Sequence, residues 1–233
     1  KLLIDSSYPT LSVSNTSVLN AKSSGKYGIG DIIDIEVEFS EDVKFADANR
    51  PTLTLKDGND ANNKYNASFK SHSGEKVTFS LTVLAGHVST SLLKLETLDM
   101  TDVTITDLAG NEFTELPDYG HDLTGVEIDT VLPTFVSVEA GAHQIYGKES
   151  TLTITATFSE NVELDDATVL TAPKPRLVLS NGETATYESG SGSQELVFEY
   201  TVLEDATGNS NSTDLQVVSW NLTGAAIKDV NGN

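Results

Sequence analysis

Residues 31–43 read DIIDIEVEFSEDV. Ile33, Ile35, Val37 and Phe39 alternate with Asp34, Glu36 and Glu38. A period of two, apolar on one side and acidic on the other, is the pattern of a β-strand that covers a core with one face and meets water with the other. A helix would turn the same apolar residues onto different sides of its axis. Residues 152–162, LTITATFSENV, repeat the arrangement. Leu152, Ile154, Ala156 and Phe158 alternate with Thr153, Thr155 and Thr157, and SENV stands where the first stretch has SEDV. Threonine suits an exposed strand face.

The matching extends outward in both directions. YGIGDIIDIEVEFSEDV (27–43) pairs with YGKESTLTITATFSENV (146–162), and PTLTLKDG (51–58) with PRLVLSNG (175–182). KVTFSLTVL (76–84) pairs with ELVFEYTVL (195–203), and ITDLAGN (105–111) with IKDVNGN (227–233). IDSSYP (4–9) pairs with IDTVLP (128–133), so that Ile4 and Ile128 stand 124 residues apart. The matches keep their order, as tandem copies of one domain do. Residues 1–4 then end a preceding strand, 5–128 form the first repeat and 129–233 the second. KDGND, SNG and ESGSGS punctuate the apolar runs as turns, and no segment carries a long helical period. The strands expected in copy one are A (10–14), B (31–39), C (51–56), D (64–70), E (76–84), F (101–106) and G (122–128). About seven strands per repeat predicts an all-β chain of two tandem β-sandwiches.

Bulk composition agrees. The chain has 233 residues, 38% of them hydrophobic and 21% charged, which is enough to build packed cores. The absence of cysteine excludes disulfides, Cys-based zinc sites and Cys nucleophiles. A formal net charge of −21 repels nucleic acid and anionic membrane surfaces. No apolar run is long enough to span a bilayer as a helix and no signal-peptide pattern is present, so a signal for export would lie outside these residues. The acidity admits two readings: a solvated, self-repelling surface, or carboxylates gathered for hard cations such as calcium.

The phrases IDTVLPTFVSVEA, YGKESTLTITATFSENV, TYESGSGSQELVFEYTVL and ITDLAGN resemble the immunoglobulin-like (cadherin-like) repeats of giant secreted bacterial and marine microbial surface proteins and adhesins. The resemblance covers both copies. It implies immunoglobulin-like sandwiches, an extracellular or cell-surface location, and a role as an extender or adhesive module, often stiffened by calcium at domain junctions. It does not specify a ligand.

Strand order points to a cation site in its own right. In an alternating sandwich, strand A starts at the pole nearest the N-terminus and strands B and F return to it. The linker, the B–C loop and the F–G loop should therefore converge. In copy two these segments carry Asp129, then Glu160 and Asn161, then Asp229, Asn231 and Asn233. In copy one they carry Asp5, then Glu41 and Asp42, then Asp107 and Asn111. Carboxylates with amide and main-chain carbonyls make the oxygen shell that calcium takes. The competing reading is local: Asp and Asn bond the backbone in turns and Gly supplies positive φ. DGNDANN (57–63) departs from a calcium loop at Ala61 and reads as a polar C–D loop.

Signatures of catalysis are missing. His72, His87, His121 and His143 are isolated, without metal-ligand spacing. SGSGS (189–193) contains no nucleophile elbow and reads as a hairpin turn. Asp165 and Asp166 are adjacent, not opposed across a cleft. The sequons at Asn15, Asn66, Asn211 and Asn221 are about as many as this composition gives by chance. Tyr65, Tyr187 and Trp220 would serve either as core or as a sugar-stacking platform.

Copy two reaches Asn233 before any counterpart of strand G, while KLLID (1–5) aligns with GVEID, the end of that strand. A sandwich without its last strand exposes apolar core and an unpaired edge. Either neighbouring repeats of a longer array supply the missing parts, or identical subunits exchange strands head to tail. The sequence thus predicts a non-enzymatic structural or adhesive extender. A carbohydrate- or surface-ligand-binding module and a self-polymerising filament subunit are the alternatives.

Overall fold

A computed structural model describes residues 4–46, 48–60, 62–87, 93–114, 120–141, 146–164, 174–203, 214–222 and 224–233. Ala61, His143, Asp165, Asp166 and Asn211 lie outside them. The described residues form strands and turns with no helix, so none is long and apolar enough to cross a membrane. The chain is all-β and divides into two compact units, Lys1–Val131 and Leu132–Asn233. Each is β-sandwich-like, with a curled sheet around its own core.

In unit 1, β1 (Leu11–Val18), β2 (Lys26–Tyr27), β3 (Ile32–Phe39), β4 (Val43–Phe45) and β5 (Thr52–Asp57) are followed by β6 (Lys64–Ser73), β7 (Lys76–Thr82), β8 (Leu93–Asp99), β9 (Ile105–Asp107) and β10 (Glu127–Ile128). The main sheet runs β1-β3-β7-β6-β5-β8, and β4-β9 and β10-β2 form short ladders beside it. The alternation in β3 places Ile33, Ile35, Val37 and Phe39 in the core. Its outer residues Asp34 and Glu36 pair with Lys70 and Lys76. The β3–β7 ladder runs without a break from Ile32↔Thr82 to Glu38↔Lys76.

Three expectations are corrected in unit 1. β8 was not anticipated. A register shift against β5 sets Leu98, not residue 97, beside Leu53, so the apolar alternation of Leu93 and Leu95 is broken. Strand F is shorter and later than 101–106, because residues 101 and 102 form a turn held by the Asp99 carboxylate. Strand G keeps ladder pairing over two residues only, where β10 runs parallel to β2. The segment before it is tied to β8 by single bonds, Leu95 N–H to His121 O (2.8 Å) and Leu123 N–H to Leu93 O (2.7 Å).

In unit 2, β11 (Phe135–Ala140), β12 (Thr151–Leu164), β13 (Arg176–Leu179), β14 (Thr184–Ser189), β15 (Ser193–Thr201), β16 (Val217–Asn221) and β17 (Ile227–Asp229) are described. The sheet order is β11-β12-β15-β14-β13-β16, and β17 pairs with β12. One long strand, β12, does what β3 and β4 do together in unit 1. Thr151–Thr157 pair with β15, Val162 pairs with it again after a register shift, and Val162–Leu164 pair with β17. Ser159–Glu160–Asn161 therefore lie in the irregularity where pairing with β17 begins. Ser40–Glu41–Asp42 hold the same place between β3 and β4. Glu41, Asp42, Glu160 and Asn161 were expected in a B–C loop. Glu160 and Asn161 form instead a kink within β12, and Glu41 and Asp42 a short bend between β3 and β4, because the hydrophobic pattern resumes at Val43 and Val162, both buried.

Candidate metal centre

The most buried acid in unit 1 is Asp107, with no exposed surface, at the end of β9. The DLAGN turn folds back over it. Asp107 N–H donates to Asn111 O at 3.0 Å. The carboxylate accepts from the N–H groups of Gly110 (2.6 Å) and Asn111 (2.8 Å) on one oxygen, and from Asn111 Nδ2 (2.7 Å) on the other. Gly110 has φ +99, the left-handed backbone that this turn requires and glycine allows. Burial pushes the Asp107 pKa up. The hydrogen bonds from the Asn111 side chain and from the N–H groups of Asn111, Gly110 and Ala109 outweigh burial and hold it below the ordinary carboxylate value.

Two further carboxylates meet Asp107. Glu41 reaches it from the kink after β3, and Asp5 from the N-terminal segment, where Ser7 N–H donates to Asp5 Oδ1 at 3.0 Å. One oxygen from each of Asp5, Glu41 and Asp107 lies within 4.8 Å of the others. Burial raises the Glu41 pKa, and repulsion from Asp107 and Asp5 raises it further. Asn111 Nδ2 also approaches Asp5 O at 3.5 Å, which ties the N-terminal segment to the turn. Three hard oxygen donors without sulfur or imidazole suit a calcium-type cation.

Asp42 does not join this group. It is exposed and its Oδ1 lies over Gly74, where an added Cβ would meet it at 2.9 Å. In unit 2, Asp229 is 1% exposed and held as Asp107 is. Its Oδ1 accepts from Asn231 N–H and Asn233 N–H, both at 2.8 Å. Its Oδ2 accepts from Asn233 Nδ2 (2.9 Å) and Asn231 Nδ2 (3.4 Å). Asn231 and Asn233 thus serve the turn through their side-chain donors. Glu160 brings a carboxylate oxygen within 4.8 Å of one on Asp229, and its neighbour Asn161 is exposed. Asp129 belongs to unit 1 and makes the turn seen at Asp5, with Val131 N–H donating to Asp129 Oδ1 at 3.1 Å.

A brace beside the acids went unread in the sequence. Ser40 N–H donates to Thr10 O (2.8 Å) and Thr10 N–H to Ser40 Oγ (3.0 Å). Ser159 and Thr134 repeat it, both bonds at 2.9 Å. Its signal was available: Pro-Thr ends both linkers, and Ser precedes both glutamates.

The other candidates are parts of the scaffold. Tyr65 and Tyr187 are buried, and Tyr187 OH accepts from Ser191 N–H at 3.0 Å. Trp220 packs with Phe135, Phe158 and Phe198 at ring separations of 5.6–6.0 Å. Asp57 is buried under its turn, with Asp57 N–H donating to Asn63 O at 3.0 Å and Asn59 N–H to Asp57 Oδ1 at 2.9 Å. His72 Nε2 lies 2.7 Å from Val43 O, and His87 stacks on Tyr65 at 4.6 Å.

No protein-family model, no curated protein and no solved structure matches this chain.

Proposed function

We propose that the chain is a non-enzymatic extender of an extracellular surface protein or filament, built from two tandem immunoglobulin-like sandwiches and stiffened by calcium at the pole of each repeat. The observation that carries the reading is the recurrence of one polar device. Asp107 and Asp229 sit under matching turns, Glu41 and Glu160 sit on matching kinks, and Asp5 and Asp129 open matching linker turns. The two outer strand faces nearby have diverged from Asp34 and Glu36 to Thr153 and Thr155. Retention of these acids where the acids of the outer strand face have changed supports a role for them as a set. Asp129 is the counterpart of Asp5 in sequence.

A cation would offset the repulsion that raises the Glu41 pKa, and would fasten the linker segment to strand B and to the turn after strand F. Such a fastening stiffens a chain of domains at each junction, which is what a spacer under tension needs. The −21 charge favours cation binding over anionic partners.

Calorimetric melting in excess calcium and in excess chelator tests the reading. Calcium at about 100 times its Kd adds roughly 2.7 kcal/mol of stability. Asp107→Asn and Asp229→Asn should each remove part of the increment. Identical melting under the two conditions would discard calcium.

A further inference from the structure

Two Asn-Gly pairs occur in the chain, Asn181–Gly182 and Asn231–Gly232. Glycine has no Cβ to shield its main-chain nitrogen and adopts backbone angles closed to other residues. That nitrogen can therefore reach the side-chain amide carbon of the asparagine before it. Both pairs lie in turns of unit 2, and their surroundings differ.

Asn181 is fastened at both ends of its amide. Its Nδ2 donates to Tyr200 OH at 3.1 Å, and its Oδ1 accepts from Glu183 N–H at 3.0 Å. Tyr200 belongs to the core, so this anchor is rigid. The nitrogen that would attack is engaged too, with Gly182 N–H donating to Leu179 O at 2.9 Å. At Asn231 the matching bonds are longer. Its Nδ2 lies 3.4 Å from Asp229 Oδ2, beyond the ordinary range of a hydrogen bond from nitrogen to oxygen, whereas Asn233 Nδ2 holds the same oxygen at 2.9 Å. Gly232 N–H donates to Asp229 O at 3.2 Å.

Unit 1 has Ala109–Gly110 where unit 2 has Asn231–Gly232. The two turns close alike. Asp107 N–H donates to Asn111 O and Asp229 N–H to Asn233 O, both at 3.0 Å. Asn111 N–H and Asn233 N–H each donate to the aspartate below at 2.8 Å. The fold of the turn therefore does not require asparagine at this place.

We propose that Asn231 is a site of spontaneous deamidation that alters the turn over Asp229. The Gly232 nitrogen bonds to Asn231 Cγ, the Cγ–Nδ2 bond breaks, and the proton of that nitrogen leaves with the amide as ammonia. The cyclic imide then takes up one water. Opening at Cγ restores the main chain with aspartate at 231. Opening at the main-chain carbonyl of residue 231 leaves isoaspartate, with the chain running through Cβ and Cγ. Nothing is oxidised or reduced. Either product sets a second negative charge beside the Asp229 carboxylate, and the two repel. Isoaspartate also lengthens the chain between Asp229 and the Asn233 N–H that its carboxylate accepts. Asp229 is 1% exposed, so weaker donors leave its burial less well offset. The turn over Asp107 is spared, because Ala109 has no amide to lose. This goes beyond the extender reading and needs no cation.

The test is incubation of the whole chain in chelator at mildly alkaline pH, once folded and once in denaturant. Trypsin cleavage after Arg176 and after Lys228 puts the two pairs on different peptides, and mass spectrometry with fragmentation reads amide-to-acid conversion at each. In denaturant the two pairs should convert alike. In the folded chain Asn181 should lag Asn231 by about tenfold or more, because its amide must first leave two short hydrogen bonds. The melting temperature of the parent should fall as Asn231 converts. Asn231→Ala, which carries the residue that unit 1 has at this place, should keep its melting temperature over the same incubation. If Asn231 stays intact in the folded chain, or converts no faster than Asn181, the proposal is overturned. An equal fall in melting temperature for the parent and Asn231→Ala also overturns it, because the loss would then not come from this turn.

Discussion

Ser159 and Thr134 exchange two hydrogen bonds at 2.9 Å, Ser159 N–H to Thr134 O and Thr134 N–H to Ser159 Oγ. The pair pins the start of unit 2 to the point where β12 turns from β15 to β17. The same exchange joins Ser40 and Thr10. The main-chain bond survives loss of the hydroxyl, but Thr134 N–H loses its acceptor. Ser159→Ala should therefore cost about 1 kcal/mol, read as a lower denaturant midpoint at unchanged slope. An equal midpoint would show that water replaces the hydroxyl at no cost.

Glu41 gives a prediction whose sign depends on the cation. Burial and the charges of Asp107 and Asp5 raise its pKa above the ordinary 4.5. Its ionised form is therefore disfavoured in the folded state, and stability falls as pH rises through the folded pKa. In chelator near pH 7, Glu41→Gln should raise the melting temperature. In calcium the same change removes a ligand and should weaken binding about tenfold or more, which lowers the melting temperature relative to the parent. A shift of the same sign in both buffers would separate Glu41 from cation binding.

Among the described glycines, Gly190 leaves the least room for a side chain. Its φ is +110, and an added Cβ would fall 2.0 Å from Glu195 O across the β14–β15 hairpin. Neither atom has a flexible side chain to yield. Gly190→Ala should cost roughly 2 kcal/mol or more, whereas Gly192→Ala meets no atom within 4 Å and pays only for its own positive φ. Comparable midpoints for the two variants would show that the hairpin shifts freely.

The strands that were legible are those whose alternation is unbroken. β3, β7 and residues 152–158 of β12 carry apolar residues at every second position and pair over long registers. β8 was hidden by one extra residue opposite β5, which reverses the faces of everything after it. The kink at Ser40–Asp42 was visible as a break in pattern, but sequence alone does not distinguish a loop from a bend within one strand. The convergence of Asp5, Glu41 and Asp107 followed from strand direction, which ladder geometry enforces. The aim of Asp42 toward Gly74 did not follow from it, because a one-residue step along a strand changes the face. The Thr10–Ser40 brace rests on a single hydroxyl and leaves no periodic trace.

His87 should make the stability of unit 1 depend on pH. Leu84 N–H donates to its Nδ1 at 3.2 Å, which requires that nitrogen to be unprotonated. The His87 carbonyl accepts from Thr130 Oγ at 2.8 Å, and the ring lies on Tyr65. Burial lowers its pKa below the ordinary 6.5. The unfolded chain therefore takes up the proton first, so the contribution is complete above pH 6.5 and is lost as pH falls through the folded pKa. His87→Asn keeps an acceptor for Leu84 N–H without a titrating ring. The parent should lose melting temperature between roughly pH 7.5 and 5, and His87→Asn should lose less over the same interval. Parallel curves for the two proteins would mean that protonation of His87 does not contribute to the loss.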